Sequence, residues 1–136
     1  MSAVSASSAQ ALLAFDFGTK RLGVASGSRF TGQGTPLKTL TETGPARFDA
    51  IERLLKEWQP EALVVGVPFH PDGAEHEVTQ QARRFARQLA GRFRLPVFEV
   101  DERYTSVEAE AQGSRGAALD AAAAALIAEQ FFRENP

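Results

Sequence analysis

Residues 61–68, "EALVVGVP", read as a strand nearly continuous in Leu and Val and ended by a proline. A strand that is apolar at both alternating sets of positions has both faces covered, so the chain needs helices on each side of a sheet. Neighbouring segments supply them. "GPARFDAIERLLKEWQP" (44–60) carries Phe48, Ile51, Leu54, Leu55 and Trp58 at helical spacing and stops at Pro60. "GAEHEVTQQARRFARQLAGRF" (73–93) reads as a second helix and "LPVFEVDE" (95–102) as another strand. "TSVEAEAQG" (105–113) and "GAALDAAAAALIAEQFFREN" (116–135) read as helical.

The first third is different. "ALLAFDF" (11–17), "RLGVASG" (21–27) and "GTPLKTL" (34–40) are separated by turns rich in Gly, Ser and Thr, the pattern of an antiparallel meander. The order β-β-β-α-β-α-β-α predicts an α/β domain with a five-stranded mixed sheet flanked by helices. Ligands in such sheets sit beyond the carboxyl ends of the parallel strands.

With 136 residues, one domain over 11–136 is the simplest organisation, and the first ten residues, "MSAVSASSAQ", read as a disordered tail. They carry neither the positive charge nor the apolar core of a secretory signal, and no run approaches the ~18 apolar residues of a membrane span. The chain has no cysteine, which excludes disulfides, thiolate metal sites and thiol nucleophiles. These features together predict a cytoplasmic protein. A net charge of −2 does not announce a nucleic-acid binder, but it hides a segregation. Residues 81–94 hold Arg83, Arg84, Arg87, Arg92 and Arg94 with no acid, while acids gather over 99–110. An ordinary solvated helix face explains the arginines equally well.

The acids carry the chemistry. Asp16 ends the first strand just before a glycine turn, and Asp101 and Glu102 end the last strand. Asp120 sits in an otherwise apolar helix, on one stripe with Ala124, Ile127 and Phe131, which should pack on the sheet. Burying an unpaired carboxylate costs several kcal/mol, so each must be neutralised, paired or bound to metal. Turns and caps explain single acids cheaply; Asp120 could simply cap a helix beginning at Ala121. Convergence of all of them on one sheet edge would instead form the hard oxygen site that Mg2+ or Mn2+ requires. Two such ions roughly 4 Å apart clamp the attacking water and the leaving oxygen of a phosphodiester. Phosphoryl transfer asks mainly for positioning and charge neutralisation, so no His or Cys nucleophile is needed. The residues alone thus point to a metal-dependent nuclease of ribonuclease H-like architecture.

"DFGTKRLGVA" (16–25), "VVGVP" (64–68) followed by "DG" (72–73), "DERYTS" (101–106) and "LDAAAAALI" (119–127) resemble, in order and spacing, the YqgF family. These are Holliday-junction-resolvase-like proteins and pre-16S rRNA nucleases, and the resemblance runs from about Leu12 to Phe132. It implies the ribonuclease H-like fold, with Asp16, Glu102 and Asp120 as catalytic acids and these three together with Asp101 as candidate metal ligands. Strand alternation leaves open which of Asp101 and Glu102 faces the site; Glu102, with its longer reach, is favoured. At matching positions Lys20 and Arg21 on the first turn, and Arg103 and Thr105 after the acids, are candidates to hold substrate phosphates. His70 in "GVPFHPDG" is a weaker candidate for a proton shuttle. The chain departs from the family pattern in a short segment before Asp120, in lacking a Lys just before that Asp, and in Ser106 where Thr is common.

The implied activity is 5′-end maturation of pre-16S rRNA, with four-way DNA junction resolution as the alternative. A resolvase works best as a two-fold dimer, whereas RNA maturation needs one site, so both monomer and homodimer stay open. Phe131 and Phe132 are candidates for a dimer face or for the core. "DFGT" also resembles the first phosphate-binding hairpin of the actin, heat-shock ATPase and sugar-kinase superfamily, but nucleotide there lies between two lobes and this chain has room for one. A non-catalytic nucleic-acid-binding module is the alternative of another class. It gains nothing from a buried Asp120, which would repel phosphate.

Overall fold

The computed structural model describes residues 4–102 and 116–136, with side chains from Leu119 onward in the second stretch. Five strands form one sheet: β1 (Ala11–Asp16), β2 (Leu22–Ser28), β3 (Gln33–Leu40), β4 (Ala62–Val67) and β5 (Val97–Asp101). Their order across the sheet is β3-β2-β1-β4-β5. The β1–β2 and β2–β3 pairs are antiparallel, while β4 runs parallel to both β1 and β5. Among the described residues the helices are α1 (Pro45–Trp58), α2 (Glu77–Phe93) and α3 (Gly116–Glu134). The segment expected to be helical over 105–113 lies outside the described residues.

Each face of the sheet has its own core, as the apolar β4 run requires. On one face Leu13, Phe15, Val24, Leu63 and Val65 pack with Ile51 and Leu54 of α1 and with Phe85 and Leu89 of α2. On the other, Leu12, Ala14, Val64 and Val100 pack with Ile127, Ala128 and Phe131 of α3. Strand alternation therefore assigns the even positions of β1, β4 and β5 to the α3 face. Phe131 and Phe132 are both buried, so core packing claims them.

The alanine run of α3 has a steric reason. A Cβ added at Gly34 of β3 would come within 2.2 Å of the Ala125 carbonyl oxygen, and one at Gly27 of β2 within 3.1 Å of the Ala128 Cβ. Glycines on the strands and alanines on the helix let α3 lie unusually close to the sheet. Pro36 is tolerated in β3 because that strand is an edge.

Two local expectations need correction. Helix α2 begins at Glu77, not near Gly73, because residues 70–74 close a turn of their own: the Gly73 amide donates to the His70 carbonyl and the His70 amide to that of Ala74. His76 then caps the helix, its Nδ1 accepting from the Val78 amide at 3.1 Å, while the His76 amide donates to Thr79 Oγ1. The tail expected over residues 1–10 is docked from residue 4 onward. Ala9 is fully buried, and the Arg29 guanidinium donates to the carbonyls of Ala6, Ala9 and Asn135, tying both ends of the chain together.

Candidate active site

Asp16 is the last residue of β1 and stands between two glycines, opposite Gly23 of β2 and Gly66 of β4. All three share the α3 face. A Cβ at Gly66 would come within 2.6 Å of a Glu102 carboxylate oxygen and 2.2 Å of the Ile127 Cδ1, so the missing side chain is the space Glu102 occupies. Glu102 follows β5 directly and keeps the parity of Phe98 and Val100, which turns it toward α3. Asp101 has the opposite parity and is partly exposed, whereas Glu102 is buried. Of these two neighbours, Glu102 is the one that meets Asp16.

The two carboxyl groups hydrogen-bond each other. Two carboxylates in contact cannot both stay ionised out of water, and they keep a proton between them. Burial pushes the Asp16 carboxyl up to about 6; the hydrogen bond from Glu102 partly offsets this and the Asp120 charge adds to it. Glu102 rises further, to about 10, through burial first and then through the Asp16 charge, their hydrogen bond and the Asp101 charge. Both carboxyls are thus held above the ordinary carboxylate range, and the pair carries a proton between them.

Asp120 enters from above the sheet. Helix α3 begins at Gly116, so Asp120 lies inside it and is not its N-cap. The helix brings this residue directly over β2, with its carbonyl 2.0 Å from where a Gly23 Cβ would be. Its carboxylate takes the Arg21 guanidinium, Nε to Oδ2 at 2.9 Å, with the Asp120 side chain 18% and the Arg21 side chain 50% exposed. That contact is close but not aligned as a hydrogen bond, and among the described residues the oxygen has no other hydrogen-bond donor. Burial raises the Asp120 carboxyl above the usual range, and the Arg21 charge partly opposes the rise.

Of the other sequence candidates, Lys20 and Arg21 are exposed on the β1–β2 turn, at the sheet edge that carries the acids. Arg103 and Thr105 lie outside the described residues. The His70 ring packs against His76 at 4.7 Å between centroids, in the loop after β4. Of the α2 arginines, Arg83 is committed to Glu75 and Glu99, and Arg92 lies over the Phe48 ring at 4.1 Å.

Sequence reading missed Arg47. It is only 5% exposed, yet donates to the Glu42 carbonyl at 3.1 Å and to the Thr19 carbonyl at 3.3 Å, with its guanidinium against the Phe17 ring. Burial lowers its pKa, opposed by the Glu42 charge. Arg47 thereby braces the turn that carries Lys20 and Arg21. In sequence it is one charge among many on an amphipathic helix, and nothing marks it as buried.

The donor set suits a hard divalent cation: three carboxylates and no soft ligand. The acids are compensated in part here as such a cation would compensate them, the Asp16–Glu102 pair by one shared proton and Asp120 by the Arg21 guanidinium. Among the described residues, no three acidic or histidine side chains stand close enough to enclose a cation in this arrangement.

A family model described as "RuvX: Holliday junction resolvase" matches residues 10–134. The chain belongs to this RuvX family. A protein of Albidiferax ferrireducens named "Putative pre-16S rRNA nuclease" is 61% identical over 128 residues, covering 94% of this chain and 81% of its own. One of the same name from Polaromonas sp. is 58% identical, covering 93% of this chain and 91% of its own. Among solved structures, Thermus thermophilus RuvC in complex with a Holliday junction substrate superposes with a TM-score of 0.56 at 18% identity, covering 92% of this chain and 96% of that one. A second Thermus thermophilus RuvC structure gives a TM-score of 0.53 at 16% identity, covering 92% of this chain and 96% of that one. The RuvX chain thus has the ribonuclease H-like fold of RuvC. Among its described residues, no helix is long and apolar enough to cross a membrane.

Proposed function

We propose that this RuvX protein is a metal-dependent nuclease that hydrolyses phosphodiester bonds in maturing the 5′ end of pre-16S rRNA in the cytoplasm. The observation that carries the reading is the meeting of Asp16 and Glu102 beneath Asp120, three acids from β1, the end of β5 and α3, at the carboxyl edge of the parallel strands. Clustering like charges in a half-dry site destabilises a fold unless the charge serves a ligand. The names of the close relatives supply the substrate.

In this reading Asp16, Glu102 and Asp120 hold Mg2+ or Mn2+, and Asp101, on the other strand face, supports them from outside. Bound divalent ions would supply charge neutralisation for the attacking and leaving oxygens. The protein's own groups do the rest. Asp16 and Glu102 would release their shared proton to solvent on holding such an ion. Gly23 and Gly66 keep the floor of the site free of side chains. Lys20 and Arg21 meet the phosphates flanking the scissile bond, with Arg103 and Thr105 as further contacts. A single subunit carries the whole acid set, so a monomer suffices for a single-strand cut.

The test compares cleavage of a labelled pre-16S 5′ fragment and of a four-way DNA junction, each with Mg2+, with Mn2+ and with chelator. Metal-dependent cutting that favours the RNA is expected. Preference for the junction would move the protein to DNA resolution, and binding of either without cutting would make it a non-catalytic module.

A further inference from the structure

The Arg21–Asp120 contact sits where the proposed function needs Asp120 to face a cation. Arg21 reaches it from a turn so tight that a Cβ at Gly18 would lie 2.5 Å from the Arg21 carbonyl oxygen. The turn is braced from below by Arg47 on the Thr19 carbonyl, so the backbone that aims Arg21 is fixed. The side chain is not. It is half exposed, and its Nε contact to Asp120 is close without being aligned. A guanidinium in that state exchanges a carboxylate for water or for another anion at little desolvation cost.

We propose that Arg21 is a placeholder cation: it neutralises Asp120 until a divalent ion displaces it, and the freed guanidinium then takes a backbone phosphate of the substrate. Arg21 is a positioning residue that couples metal loading to substrate grip. The inference rests on Asp120 being a metal ligand. It requires that Arg21 and the ion compete for one carboxylate, which sets it apart from a fixed phosphate contact.

The experiment is calorimetric titration of Mn2+ into the full chain, without nucleic acid, for wild type, Arg21→Gln, Lys20→Gln, Asp120→Asn and the double variant Arg21→Gln/Asp120→Asn. Lys20→Gln removes the same charge from the same turn, but Lys20 forms no ion pair with any described residue. Removing the competitor should tighten Mn2+ binding about three- to tenfold, the size of a partly exposed ion pair. Lys20→Gln should do distinctly less, and Arg21→Gln should have no effect once Asp120 is Asn. Unchanged or weaker binding by Arg21→Gln overturns the proposal, as does an equal gain from Lys20→Gln. Wild-type Mn2+ affinity in Asp120→Asn would instead remove Asp120 from the metal site, and the placeholder role with it.

Discussion

Gly23 lies directly beneath Asp120: a Cβ built on the glycine would stand 2.0 Å from the aspartate's carbonyl oxygen and 3.0 Å from its Cβ. The obstacle is helix backbone, which cannot rotate away as a side chain would. Gly23→Ala should therefore lift the first turns of α3 from β2, costing about 1–3 kcal/mol of stability as overpacked sites do. Urea denaturation would read that loss. Because the same shift moves Asp120, Mn2+ affinity should fall in the variant that still folds.

The Asp16–Glu102 pair makes a prediction about pH. Both carboxyls have folded-state values above their ordinary ones, near 3.8 and 4.5, so the folded chain holds protons that the unfolded chain releases. The stability of the metal-free protein is then greatest below about pH 4 as far as this pair is concerned. It declines as pH rises through about 6 and onward, where Asp16 and then Glu102 are forced to ionise. Glu102→Gln keeps the hydrogen bond without the titration. It should raise the melting temperature of the metal-free protein at pH 8 by about 3–5 °C and flatten the decline. A scan of melting temperature from pH 5 to 9 for both proteins checks this.

Metal binding runs on the same proton. A ligand pair that must ionise releases a proton when a divalent ion binds, so Mn2+ affinity should increase from pH 6 to 8. Titration in buffers of different ionisation enthalpy would count that proton. Affinity independent of pH would mean that the pair is already ionised.

Arg47 tests how the turn is held. Arg47→Met should cost about 2 kcal/mol, because charge-assisted bonds to two backbone carbonyls are lost. Arg47→Lys should recover only part, since an ammonium is a point donor and cannot span the Glu42 and Thr19 carbonyls as the guanidinium fork does. Denaturation midpoints of the two variants give the comparison.

Thr79 does comparable work in the loop after β4. Fully buried, its hydroxyl accepts from the His76 amide and donates to the Pro68 carbonyl. Thr79→Val preserves shape but leaves both backbone groups without a partner, so about 1–3 kcal/mol should be lost. Loss of protection at the His76 amide in hydrogen exchange would locate it.

Much of this was legible in the sequence because it depends on local patterns. Short apolar runs bounded by turn residues give the strands, and the apolar stripe through Asp120 gives the face of α3. The carboxylates at two strand ends stand out against those runs. What could not be read depends on partners distant in the chain. Alternation separates Asp101 from Glu102 only once α3 is known to cover the Phe98–Val100 face. Gly23 and Gly34 sit in strand segments with no sign of why they lack side chains until a helix is laid across them. His76 caps α2 although its type rarely caps, so the start of α2 is displaced from where composition puts it. The Ser-rich start reads as a tail because the arginine that pins it, Arg29, comes twenty residues later.

The most direct test of the site is single-turnover cleavage of the pre-16S 5′ fragment in Mn2+ by wild type, Asp16→Asn, Glu102→Gln and Asp101→Asn. The geometry predicts a loss of about a thousandfold or more for Asp16→Asn and Glu102→Gln, and less than about tenfold for Asp101→Asn. The opposite ranking of Glu102 and Asp101, or full activity without Asp16, would contradict the site described here.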